Sequence, residues 1–266
     1  MPVTFEQFGL VVKEILDYDK NLIGDTTFYV LLTRKEESNE VYGKDGALSF
    51  QKIKLTFTGE VISEKSLISN QGVSKLHFSA YVNPLKGEVS LTGGDVMIQD
   101  SSLRGHRIGT YIMNEIVSWS KKWPDTLVKS IRVSPVDAKT DETRYRRNRF
   151  YEQFGIPFQY TSVEKRQGSS IPIKTKKLSN ISTWKSNIEV LNATDFLTML
   201  INQKKHAQQS LETETQRSKY LLQRLDVIEQ NPVRYAIKTL FWRNLSKIMQ
   251  VGILISVSFL IYIEIQ

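Results

Sequence analysis

Two short stretches carry the residues best suited to chemistry. The first is Arg104-Gly105-His106-Arg107-Ile108-Gly109-Thr110. An anion such as a pyrophosphate needs several N–H groups aimed at one point, and a helix N-terminus supplies them with a favourable dipole. Gly105 and Gly109 allow close backbone approach, Thr110 offers a hydroxyl, and Arg104 and Arg107 offer charge. The same pattern also suits an ordinary strand-to-helix turn. The second stretch, Arg149-Phe150-Tyr151-Glu152-Gln153-Phe154-Gly155-Ile156, carries a phenol on a predicted helix. A phenol ordinarily titrates near pH ~10, so at neutral pH it can give up a proton. Tyr145, Phe150 and Phe154 nearby make core packing the alternative for Tyr151.

These residues depend on the elements around them. Phe5, Phe8, Val12 and Ile15 recur at helical spacing, and Thr4-x-x-Gln7 reads as a capping box, so a helix is predicted over 4–18. From Phe28 the period becomes two. Strands are predicted at 28–33, 48–57, 76–82 and 88–99. After the loop, Ile108, Ile112, Ile116, Trp119 and Trp123 form one helical stripe, closed by Pro124. A strand at 130–136 follows, then a helix capped by Asp141 and stopped by Gly155, then paired strands at 158–163 and 171–177. The expected class is α/β (α+β), a mixed central sheet flanked by helices. It fills residues 1–183.

With these elements placed, the two stretches resemble the GNAT family of N-acetyltransferases. That family carries a loop often written Arg-Gly-x-Gly-Ile-Gly-Thr/Ser; this chain departs from it at Arg107, where glycine is usual. A later family helix ends in Tyr-Glu, matched here by Tyr151-Glu152. The resemblance covers roughly residues 75–165. It implies that backbone groups of residues 105–110 hold acetyl-CoA and that Tyr151 protonates the departing thiolate. It also implies an oxyanion donor near 97–100 and an amine acceptor, on a protein or a small molecule, that attacks directly. Glu88, Asp95 and Asp100 are the nearby carboxylates able to take the amine proton, and the sequence does not choose among them. The first 70 residues match no family pattern. A non-catalytic adaptor that keeps the fold is the alternative reading.

Composition narrows the remaining classes. The chain lacks cysteine, which removes disulfides, thiolate metal sites and a cysteine nucleophile. His77, His106 and His206 lie far apart, so no metal site is expected. Residues 1–100 hold 10 Lys+Arg against 14 Asp+Glu, whereas the remainder holds 26 against 14. That basic half suits a polyanionic cofactor, an anionic membrane or nucleic acid. Arg144, Arg146, Arg147 and Arg149 are candidate phosphate contacts or a solvated helix face. Aromatic residues interleaved on a basic strand face, as a nucleic-acid surface would need, are not seen, so a nucleic-acid binder using these arginines is the lesser alternative.

Residues 184–231 read as a helical stalk. Over 194–230 there is no Gly or Pro, and seven of ten heptad seam positions are apolar. This fits a coiled coil, and with it a homo-oligomer, or a solvated helix. The start of the chain does not read as a secretory signal. Residues 232–266 read as a basic juxtamembrane segment and a transmembrane tail anchor. Ile248 to Ile263 is uncharged, preceded by Arg234, Lys238, Arg243 and Lys247. The expected location is a membrane, single-pass, with the catalytic domain cytoplasmic.

Overall fold

A computed structural model describes residues 3–17, 22–62, 75–93, 96–98 and 103–265. The chain divides into two units, Met1–Thr198 and Met199–Gln266. The first is a mixed α+β unit. Its main sheet contains β1 (Val3–Asp17), β2 (Leu22–Tyr42), β3 (Leu48–Ile62), β4 (Lys75–Asn83), β5 (Glu88–Ser90), β6 (Val96–Ile98), β7 (Leu127–Val128) and β11 (Ile188–Asn192). The strand order is β11-β1-β2-β3-β4-β5-β7, with β6 also paired to β4. A smaller sheet has the order β8-β10-β9, from β8 (Arg132–Val133), β9 (Phe158–Tyr160) and β10 (Gly168–Ser170). The α-helices among the described residues are α1 (Ile108–Ser120), α2 (Asp141–Glu152), α3 (Ala193–Gln230) and α4 (Pro232–Ile265).

The predicted helix over 4–18 is a strand. Phe8 and Val12 are four apart and so fit either period, but Leu10, between them, is also buried. Burial of Phe8, Leu10 and Val12 is the alternation of a strand, while Phe5, part of the presumed helical stripe, is exposed. Thr4 pairs with Glu36 rather than capping anything. The N-terminal strands are also longer than their alternation suggested, because β1, β2 and β3 form an antiparallel meander whose ladders run well past the buried residues.

Two further expectations change. Thr140, not Asp141, caps α2: its side chain accepts from the Thr143 N–H, and the Thr143 hydroxyl accepts from the Thr140 N–H. Asp141 instead occupies the first turn, where a carboxylate meets the positive end of the helix, and it pairs with Arg144 at 3.1 Å. The partner of β9 is Gly168–Ser170, whereas 175–177 forms a single 3-10 turn.

The core lies between the main sheet and α1. Ile108, Ile112, Met113, Ile116 and Val117 are fully buried, with Leu10, Val30, Leu32, Leu55, Phe57, Phe78 and Ala80 in the same cluster. Parallel strands need a crossover connection, and α1 is the crossover between β5 and β7, the one parallel pair among the described strands. The first unit extends beyond residue 183. β11 pairs antiparallel with β1, and Phe196, in the first turn of α3, is buried. A Cβ at Gly9 would fall inside the Phe196 ring, so glycine is the residue that admits it.

The second unit is helical. The transmembrane expectation is overturned: among the described residues, no helix is long and apolar enough to cross a membrane. The uncharged run of 16 residues spans only roughly 24 Å as helix, against a hydrocarbon core of roughly 30 Å. The first half of α4 carries Arg234, Lys238, Arg243 and Lys247, so the helix's 34-residue length is not matched by an apolar one.

Candidate functional site

The loop before α1 forms because its backbone takes two left-handed residues in three. Gly105 has φ 92° and Arg107 has φ 62°. The family's usual glycine therefore falls where this chain places an arginine in the conformation that glycine adopts without cost. Two outside contacts hold Arg107 there. Its guanidinium donates to the Thr183 carbonyl at 2.8 Å and to the Ser186 hydroxyl. Arg107 is the N-cap residue of α1, with no side-chain cap and no acid in the first turn. The amide hydrogens of that turn therefore receive no cap from the N-cap side chain itself. Among the described residues, a Cβ at Gly105 would meet nothing within 4 Å.

The remaining loop side chains are anchored to the protein. His106 Nδ1 accepts from the Ile15 N–H at 3.1 Å, and its ring meets Phe28 edge-on. Ile15 lies beside a register shift between β1 and β2, which turns its amide out of the ladder. Asn187, buried, donates to the His106 and Lys13 carbonyls. Arg104 Nε donates to the Ile98 carbonyl at 3.0 Å. Ile108 and Thr110 are buried. The loop is clamped on one side by the end of β1 and on the other by residues 183–187. Neither clamp was visible in the sequence. The second even spans the boundary placed after residue 183.

The second motif reaches the first. A Cβ built on Gly109 would lie 3.8 Å from Ile98 and Phe78 and 3.9 Å from the Phe150 ring. The end of α2 is therefore laid against the first turn of α1, with Tyr151 next in sequence. The Tyr151 ring is half-buried between Phe150, at 5.1 Å between centroids, and Phe158, at 5.5 Å. Phe154 behind it is buried, and Gly155, at φ 75°, ends the helix as expected.

The two sheets part after β7. β5 pairs with β7 at Glu88–Leu127 and Val89–Val128, and the chain after β7 joins β10 of the smaller sheet instead. Between β5 and β6 the register against β4 jumps. Ser90 faces Tyr81, but Val96 faces Phe78. Gly93 lies in this irregularity, and its N–H donates to the Ser79 carbonyl. A Cβ at Gly93 would lie 2.5 Å from the Ser79 hydroxyl and 2.9 Å from its carbonyl, so only glycine fits. Gly93-Gly94 inside a strand pattern was the available sign of this irregularity.

The carboxylates expected near the loop are dispersed. Asp95 and Asp100 lie outside the described residues. Glu88 faces Asn83, whereas Ile98 faces Leu76. At about 3.3 Å per residue along β4, Glu88 sits roughly 23 Å from the loop end of β6. It pairs there with Lys129 at 3.6 Å. In the expected oxyanion stretch, Met97 and Ile98 belong to β6, and residues 99 and 100 lie outside the described residues.

The arginines of α2 have individual partners. Arg147 donates to the Ser134, Lys165 and Arg166 carbonyls and to Asn148, tying α2 to its neighbours. Arg144 meets Asp141, Arg146 meets Glu142 at 3.9 Å, and Arg149 lies over the Tyr145 ring. A cleft of about 500 Å³ on this face is lined by Arg144, Arg149, Glu152 and Lys165 among others.

On the far side of α1, Glu115 and Tyr111 face β1 and β2. Burial raises the Glu115 carboxyl above the usual range, Arg34 opposes that, and Glu6 adds to it. Burial also raises the Tyr111 phenol, which packs edge-on against Trp184 at 4.9 Å. Comparison with known proteins returned no matching family model, curated protein or solved structure.

Proposed function

We propose that the first unit binds acetyl-CoA and transfers its acetyl group to an amine of a protein or small molecule, as the resemblance to the GNAT family implies. One observation carries the reading. A helix N-terminus whose N-cap residue supplies no side-chain cap, entered through two left-handed residues, lies through Gly109 against Phe150 of the helix that bears Tyr151. The residues present suit a pyrophosphate: the helix N-terminus is free of a cap from its own N-cap side chain, and the first turn holds no acid to repel the anion.

When bound, acetyl-CoA supplies an acyl carbon activated by its thioester. The loop's own part is to hold the phosphates with backbone N–H groups of residues 105–110. Clamping by Ile15, Asn187 and Thr183 fixes those groups in place before the ligand arrives, so little ordering cost falls on binding. The amine nitrogen then bonds to the acyl carbon as the carbon–sulfur bond breaks. Tyr151 gives its proton to the leaving sulfur, and the amine loses one to a base or to water.

Isothermal calorimetry of the full chain with acetyl-CoA tests binding, and release of free thiol with a panel of amines tests turnover. Saturable binding with turnover that falls in Tyr151→Phe supports the proposal; no binding at millimolar acetyl-CoA contradicts it. A second reading is a coenzyme A-binding module without turnover. It is favoured by Glu88, the described candidate base, being held by Lys129 at the far end of its strand. Binding with no thiol release across the panel would select it.

A further inference from the structure

The heptad seam of α3 carries two charges in positions that normally bury apolar side chains. On one seam position lie Leu197, Lys204, Leu211, Ser218 and Leu225; on the other lie Leu200, Ala207, Glu214, Leu221 and Ile228. In one copy most of this seam is exposed. Leu197, Leu211 and Leu221 are exposed, and Phe196 is the one buried residue of the helix. Glu214 meets only Arg217, at 3.8 Å, with both side chains 70% exposed, an arrangement that contributes little.

What could cover the seam is decided by the two charges. A parallel second copy would set Lys204 against Lys204 and Glu214 against Glu214, two repulsive layers. An antiparallel copy mates one seam position with the other. In one register Lys204 falls opposite Glu214, Leu197 opposite Leu221, Ala207 opposite Leu211 and Leu200 opposite Ser218, each pairing occurring twice by symmetry. Shifting by a heptad in one direction sets Lys204 against Leu221 and Glu214 against Leu211. Shifting in the other sets them against Ala207 and Leu197. Only the central register satisfies both charges.

We infer that α3 pairs with α3 of a second copy of this chain, antiparallel, in the register that joins Lys204 to Glu214. This surface is independent of the acetyl-CoA reading. Like a polar residue at a coiled-coil seam, the charge pair sets orientation and register at some expense in stability.

Because the chain has no cysteine, introduced ones report without background. Sedimentation of the full chain should show a dimer. Under mild oxidation, Ala207→Cys and Leu211→Cys chains should cross-link when mixed far more than either does alone. Lys204→Glu or Glu214→Lys should each raise the dimer dissociation constant by at least about tenfold, and the double charge swap should restore it. In a parallel pair, each single change would only exchange one like-charged layer for another. A monomer, efficient cross-linking of Ala207→Cys with itself, or a charge swap that fails to rescue would overturn the inference. Helical circular dichroism of each variant separates loss of pairing from loss of the helix.

Discussion

α1 and α3 are both amphipathic helices, yet they are used in opposite ways. Of the 13 residues of α1, ten are buried; of the 38 in α3, one is. α1 therefore owes its place to the sheet it covers, and its N-terminus is fixed to within the tolerance of a packed core. That rigidity is what a backbone anion site requires, since amides can be pre-aimed only if the helix behind them does not move. α3 is held at Phe196 and beyond it shows its apolar stripe to solvent. Its length exceeds what the first unit needs. The contrast separates a helix that makes a site from a helix that makes a surface.

The largest effect should come from cutting into α1. Ile112→Ala should lower the unfolding free energy by about 3 kcal/mol, read from denaturant midpoints, because Ile112 is fully buried. A loss below ~1 kcal/mol would mean that α1 is not the packed scaffold described. Next, Gly105→Val should cost roughly 1–2 kcal/mol of stability, since a β-branched residue resists φ 92° whatever the space around it. It should also abolish acetyl-CoA binding seen by calorimetry.

Glu115 offers a smaller, pH-dependent test. Its carboxyl is raised by burial, so the folded state holds the proton more tightly than the unfolded chain. Stability therefore falls as pH rises from the ordinary carboxylate range through the raised value. Glu115→Gln should flatten this decline, leaving the variant relatively more stable at neutral pH than near pH ~4. Equal offsets at both pH values would remove Glu115 from the explanation. The smallest effect on the fold should be Leu211→Ala, within about 0.5 kcal/mol for unfolding of the first unit. Its consequence should appear instead in dimer dissociation.

The same contrast accounts for what could be read in advance. α1 was legible because its stripe of Ile108, Ile112 and Ile116 has one period and ends before Pro124, whereas β7 at 127–128 fell outside the strand expected at 130–136. Gly155 was legible because a left-handed stop needs a glycine. β1 was not, since Phe8 and Val12 satisfy two periods and only the pairing with β2 chooses between them. The clamps on the loop were out of reach for a different reason. Asn187 and Thr183 act on His106 and Arg107 across more than 70 positions, and nothing local in either segment announces the other. The loop's composition suggested that Arg107 would meet a phosphate. The fold instead uses its side chain as a strut, and what is left for an anion is the backbone.

The most direct test of that claim is residue-resolved amide hydrogen exchange of the full chain with and without coenzyme A. Slowed exchange concentrated in residues 105–110, and absent in Gly105→Val, is the predicted result. Unchanged exchange in that loop at saturating ligand, or protection that maps to a different segment, would contradict the account.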